Sequence, residues 1–267
     1  MEQEYQYDYF VIGGGSGGLA SASAAASHGA KVGLADYVTP SPQGTKWGLG
    51  GTCVNVGCIP KKLFHYASLL GESREDLNET GWKVDPEAPN KWAEVAEKIQ
   101  DHVKSLNWGY KKKLTNENIT YYNKKARLLE AHKVELKGDD NQVETVTAKY
   151  ILIAVGGRPN EPGIPGGEHS FNSDDIFWMK EAPGKKVLVV GASYIALECG
   201  GFMKGLGLDV TVMVRSILLR GFDQQMAEKI GEYMANQGVK FIKKATPVSI
   251  TLNKEGKKVV RYKQEED

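Results

Sequence analysis

Apolar residues fall in short unbroken runs near the start and again past the middle of this chain. Phe10–Ile12 is the first such run and predicts a strand buried on both faces. Small residues follow over Ser16–His28, which predicts a close-packed helix, and Lys31–Ala35 predicts a second buried strand. The same order returns downstream, with Val187–Val190 as strand, Ser193–Lys204 as helix and Asp209–Val214 as strand. Between the two blocks, Trp92, Val95, Ala96, Ile99, Val103 and Leu106 recur at helical spacing, so Asn90–Leu114 predicts a long amphipathic helix. Ile119–Val155 reads as several short strands with turn signals at Gly138–Asn141, an antiparallel meander. The stretch KYILIAVGGRPNEPGIPG closes it with a buried strand, a glycine pair and a proline-rich loop, the marks of a domain boundary. The pattern predicts an α/β chain of two three-layer, Rossmann-like domains, 1–160 and 161–267, the first carrying the meander.

What lies between each first strand and its helix gives the blocks a chemistry. In the first it is Gly13-x-Gly15-x-x-Gly18. The first glycine permits the tight turn, the second admits a pyrophosphate to the backbone, and the third lets the helix pack close to the sheet. Asp36 ends the second strand, where an acid accepts hydrogen bonds from a ribose 2′-OH. The bland alternative is a structural turn, and the strand, helix and acid together argue against it. The second copy, Gly191-x-Ser193-x-x-Ala196, is degraded, with serine at the second glycine position. Arg215 stands where the first copy has its acid, and Arg220 follows five residues on. Two guanidiniums there suit a 2′-phosphate that an aspartate would repel, with solvated loop charges as the lesser alternative. The first fold is thus expected to hold the adenosine of FAD or NAD, and the second NADP(H).

GTCVNVGCIPKK places Cys53 and Cys58 five positions apart in a chain with only three cysteines. On a regular helix such residues have Cα atoms roughly 8–9 Å apart, whereas a bridge needs about 4.4–6.8 Å. A bridged pair therefore demands an irregular turn, eased at Gly57, with Pro60 opening a helix that runs on to Leu70. Zinc is a rival, but it wants four ligands and only Cys199 and scattered histidines remain. Inert core thiols are another, a description that suits Cys199 on its apolar helix better. A redox pair fits the glycine-rich setting. A free thiol is only a few per cent thiolate near neutrality, so such a pair needs a cationic or electron-accepting neighbour. Lys61 is one turn on, and a flavin would relay a hydride to a disulfide.

Composition narrows the setting. The 267 residues carry 34 Lys and Arg against 33 Asp and Glu, a net charge of +1, which argues against nucleic acid or a membrane surface as partner. The acidic, aromatic amino terminus has no basic or apolar leader pattern and no run approaches a membrane span, so the cytoplasm is the expected location.

FVIGGGSGG, the Cys53–Cys58 segment, VGGRPN, VGASYIALE and VRSILLRGFD together resemble the pyridine nucleotide–disulfide oxidoreductases, and more closely the high-molecular-weight thioredoxin reductases. The resemblance implies that Gly13, Gly15, Ser16 and Asp36 hold the ADP half of FAD, with Thr52 and Gly156 close to the cofactor. It implies Cys58 as the thiol that forms a charge-transfer complex with the flavin, and Cys53 as the interchange thiol. Lys61 would pair with Glu198 beside the flavin, and Tyr194 would cover it until NADPH, held through Gly191, Ser193, Arg215 and Arg220, arrives. Read alone, Glu198 is a helix-face charge and Tyr194 is packing. The long loop before the cysteines, with its KWGLGGTC run, and Ser23 and Ala24 where glutathione reductases carry arginines, imply thioredoxin as acceptor. Family members are homodimers and run much longer, so the resemblance implies a truncated chain with an open sheet edge. A non-catalytic nucleotide-binding fragment and a glutathione reductase-like enzyme are the alternative readings.

Overall fold

The computed structural model describes residues 4–265. The chain divides into two compact units, Met1–Ile59 with Gln100–Arg158, and Pro60–Ile99 with Pro159–Asp267.

In the first unit β1 (Tyr7–Ile12) leads into α1 (Ser16–Ser27) and β2 (Val32–Ala35). The short α2 (Gly51–Val56) follows, then the long helices α3 (Cys58–Glu79) and α4 (Trp92–Asn116), which belong to this unit only at the start of α3 and the end of α4. Strands β3 (Thr120–Tyr122), β4 (Lys125–Glu130), β5 (Lys133–Lys137) and β6 (Val143–Ile153) complete a six-stranded sheet of order β3-β2-β1-β6-β5-β4. Strand β6 joins two kinds of pairing. Residues 143–147 run antiparallel to β5, and 148–153 run parallel to β1. Because side chains alternate across a strand, Phe10 and Ile12 meet Val134, Leu136, Val146 and Ala148 of the meander, while Val11 faces Leu19 and Ala22 of α1 and Leu114 of α4. Helices, parallel sheet and meander thus make the three layers.

One segment departs from the expected meander. β3 runs parallel to β2, with Gly33 opposite Thr120 and Ala35 opposite Tyr122, and so extends the nucleotide-fold sheet. The cause is the exit of α4, where Asn118 adopts a left-handed φ of 54° and the amide of Ile119 bonds back to Leu114. That turn delivers the strand to β2, and three residues are too few to show an alternating pattern.

The second unit has a parallel sheet of β7 (Lys186–Val190), β8 (Asp209–Val214) and β9 (Lys240–Lys243). Its helices are α5 (Ser173–Ile176), α6 (Tyr194–Gly205) and α7 (Gln224–Asn236), and β10 (Ala245–Leu252) pairs antiparallel with β11 (Lys258–Gln264). Among the described residues β7 is an edge, paired only with β8. Residues 60–99, expected with the first domain, cluster here through an aromatic core. Phe64 of α3 stacks on Phe202 of α6 at 5.0 Å, and Trp92 of α4 lies 5.0 Å from Phe64 and donates its Nε1–H to the Met179 carbonyl at 3.0 Å. α3 also continues past the expected Leu70. Its polar last turns are tied down as Arg74 donates to the Ala88 carbonyl and Asn78 to the Val84 carbonyl, contacts that no apolar periodicity announces. No helix among the described residues is long and apolar enough to cross a membrane.

Candidate active site

The glycine fingerprint folds into a cradle in which backbone takes up nearly all the room. Gly13 turns the chain with φ 113°, and its N–H donates to the Ala35 carbonyl at 2.8 Å. A β-carbon there would overlap the carbonyl of Ala154, just beyond β6. Gly15 is the N-cap of α1 and has no side-chain cap, so the first-turn N–H groups from Ser16 onward have no partner of their own. That is an anion site by geometry. Gly51, with φ 72°, brings the start of α2 against it, since a β-carbon on Gly51 would lie 2.6 Å from the Gly15 Cα. The cradle fits a pyrophosphate, because only glycines leave this backbone open to approach. Thr52, in the first turn of α2, and Gly156, with φ 65° just past β6, are both exposed in the same unit.

Gly14 is a site residue that the fingerprint spacing does not single out. Its N–H donates to Asp36 Oδ1 at 2.9 Å, and a β-carbon on it would overlap Leu49 and come within 2.9 Å of the Asp36 side chain. Burial pushes the Asp36 carboxyl above its ordinary 3.8, while bonds from the Gly14 and Tyr37 amides hold it down in part. A raised acid favours its neutral form, so the folded chain loses stability as Asp36 ionises with rising pH. Asp36→Asn is therefore expected to raise the thermal midpoint of the cofactor-free chain at pH 7, with no gain below about pH 3.5. If Asp36 receives the ribose of a bound dinucleotide, as the fingerprint leads one to expect, the substitution is also expected to weaken flavin binding about tenfold. Melting curves across pH, with flavin titrations, check both.

The cysteines lie in the irregular turn that their spacing demands. α2 stops at Val56, Gly57 interrupts, and α3 starts at Cys58, which brings the Cys53 and Cys58 Cα atoms to 4.7 Å with the sulfurs bridged. Gly57 is needed because a β-carbon there would sit 2.8 Å from the Thr52 carbonyl. Pro60 falls in the first turn of α3, where its missing N–H costs nothing. Cys58 is exposed and Cys53 partly buried. Cys199 is a different thiol: it is buried in α6, and burial pushes it up to about 12, which leaves it protonated.

In the second unit Gly191, with φ 121°, repeats the role of Gly13, its N–H donating to the Met213 carbonyl at 3.0 Å. Ser193 explains the degraded motif, because its hydroxyl caps α6 by accepting from the Ala196 N–H at 3.4 Å. Lys61 of α3 pairs with Glu198 of α6 at 2.5 Å and stands 5.0 Å from the Tyr194 ring centroid. Arg215 and Arg220 are both exposed beyond the end of β8, and Arg220 donates to the Ser216 hydroxyl at 2.6 Å, which draws it toward the strand end.

Sequence reasoning also missed Asn55 and Asn107, two buried amides behind the cysteine turn. The signal available was a lone polar residue inside the apolar V-N-V between the cysteines.

A family model described as pyridine nucleotide-disulphide oxidoreductase matches residues 7–267. A curated relative, thioredoxin reductase SEP1 of Emiliania huxleyi, is 53% identical over 261 residues, which are 97% of this chain and 52% of the relative. The chain thus spans about half the length of the curated relative it matches. That family implies a flavin and a nicotinamide nucleotide, in keeping with an uncapped glycine cradle and a bridged cysteine pair in one unit. On this match and this geometry, the chain belongs to the pyridine nucleotide–disulfide oxidoreductase family.

Proposed function

We propose that this chain carries the flavin-reducing relay of a thioredoxin reductase, passing electrons from NADPH through FAD to the Cys53–Cys58 bridge and on to thioredoxin. The observation that carries the reading is the contact of Gly51 with Gly15, which sets the cysteine turn beside the dinucleotide cradle within one unit. The name of the relative at 53% identity supports the choice of acceptor.

In this reading Gly13, Gly15 and Ser16 would receive the pyrophosphate of FAD and Asp36 its ribose, with Thr52 and Gly156 close to the cofactor. Bound FAD supplies the conversion of a nicotinamide hydride into an electron pair for a disulfide. Reduction of Cys53–Cys58 by two electrons and one proton, the content of one hydride, would break its S–S bond and leave a thiol and a thiolate in the turn. The two sulfurs share one proton, and with it on Cys58 the Cys53 thiolate attacks one sulfur of the thioredoxin disulfide and expels the other as a thiolate, which takes up the Cys58 proton. Cys58 then displaces the resulting mixed disulfide, which re-forms the bridge and releases reduced thioredoxin. Lys61, three residues past Cys58 in sequence, is held by Glu198. Tyr194 opens α6 where the nicotinamide half would lie, next to Gly191 and Ser193.

The arginines give the test of coenzyme choice. Replacing both Arg215 and Arg220 by alanine is expected to weaken NADPH binding at least about tenfold and to leave NADH within about twofold, since each guanidinium contributes a charge-assisted bond only to the 2′-phosphate. Equal losses for the two coenzymes would count against the reading.

A further inference from the structure

Behind the cysteine turn lies a buried chain of side-chain amides that neither holds a nucleotide nor carries an electron. Asn55, fully buried, stands between Cys53 and Cys58 in sequence, and its Nδ2 donates to the Gly51 carbonyl at 2.8 Å and the Gly48 carbonyl at 3.2 Å. Asn107 of α4, 9% exposed, donates through its Nδ2 to the Leu49 carbonyl at 2.6 Å and to Asn55 Oδ1 at 2.9 Å. Both protons of each amide are thus placed. Gly48 is a glycine for the same reason, because a β-carbon on it would lie 2.6 Å from Asn107 Oδ1. The backbone entering α2 is held at Gly48, Leu49 and Gly51 by one relay rooted in α4 at Asn107. Apolar groups of the same shape would fill this space but would leave the Gly48, Leu49 and Gly51 carbonyls without these donors. What amides add is direction, fixing three carbonyls and hence the orientation of the turn.

We propose that Asn107, acting through Asn55, is the positioning residue of the Cys53–Cys58 couple and sets how readily its bridge is reduced. The proposal rests on reading the pair as a working dithiol. When the turn is held, each thiol sees the other at high effective concentration, which favours the bridge; when the turn is loosened, that concentration falls.

The test equilibrates the full chain with graded ratios of reduced and oxidised dithiothreitol, quenches it by alkylation and counts free thiols by mass. In each exchange dithiothreitol gives up two electrons and two protons, closing to its cyclic disulfide, and Cys53–Cys58 opens to two thiols. Asn107→Ala is expected to move the midpoint about tenfold toward easier reduction, about 30 mV. Val103→Ala, one turn earlier on α4 and clear of the relay, is expected to destabilise the chain without moving that midpoint. An unmoved midpoint in Asn107→Ala, or equal movement in both variants, overturns the proposal. If Asn107→Ala fails to fold, Asn107→Ser, which keeps one donor, is expected to shift the midpoint less but in the same direction, and no shift overturns the proposal. A wild-type chain that never passes between bridged and free thiols removes the working-dithiol reading and the proposal with it. A wild type that titrates while the Asn107 variants match it removes the proposal alone.

Discussion

Cys58→Ser is expected to cut electron transfer from NADPH to an external disulfide by at least about a thousandfold while FAD remains bound. The bridge stores an electron pair only if both sulfurs are present, and no other described thiol is placed to substitute. Cys199, buried in α6 and pushed up to about 12, is protonated at any physiological pH. In the proposed reading FAD is held by Gly13, Gly15 and the α1 N-terminus, none of which the substitution changes. Stopped-flow turnover with a disulfide acceptor, paired with flavin content, reads the two effects separately. Cys199→Ser, which removes a thiol outside the relay, is expected to leave turnover unchanged. Equal losses in the two variants would mean that thiol number, not the Cys53–Cys58 turn, governs the activity.

Gly18→Ala is expected to destabilise the chain by about 3 kcal/mol and to abolish flavin retention. The added carbon would fall inside the Gly13 carbonyl oxygen, which is backbone, so relief requires α1 to move off the sheet. That shift would take the uncapped α1 N-terminus with it. Gly17→Ala is the matched control. It lies one residue earlier in the same helix with nothing within 4 Å of the new carbon. Less backbone freedom in the unfolded chain should then stabilise it by up to about 1 kcal/mol. Denaturant titration of the two variants checks the contrast, and equal effects would contradict the close helix–sheet approach.

These contrasts show what the sequence made legible and where it fell silent. Strand, glycine turn and helix were readable in both nucleotide folds because each rests on local pattern, apolar runs of strand length and glycines at fixed offsets. The break at Gly57 was readable because a five-residue cysteine spacing and a bridge are incompatible on a straight helix. β3 was not readable, since its parallel partner β2 lies far off in sequence and three residues carry no period. The last turns of α3 were hidden for a related reason, being held by loop carbonyls from Val84 and Ala88 and not by an apolar face. Gly14 and the Asn55–Asn107 pair are spatial facts. Leu49 and Asp36 crowd the first, and residues more than fifty positions apart make the second. Ser193 lies between these cases, a departure from the glycine pattern until its capping bond to Ala196 shows what the hydroxyl does.

The most direct test of the relay is the visible absorption spectrum of the purified chain, before and after anaerobic addition of NADPH. The account predicts a bound-flavin spectrum that bleaches on NADPH and gains a long-wavelength band that Cys58→Ser lacks. A colourless chain that takes up no FAD, or a flavin that NADPH leaves oxidised, would contradict it.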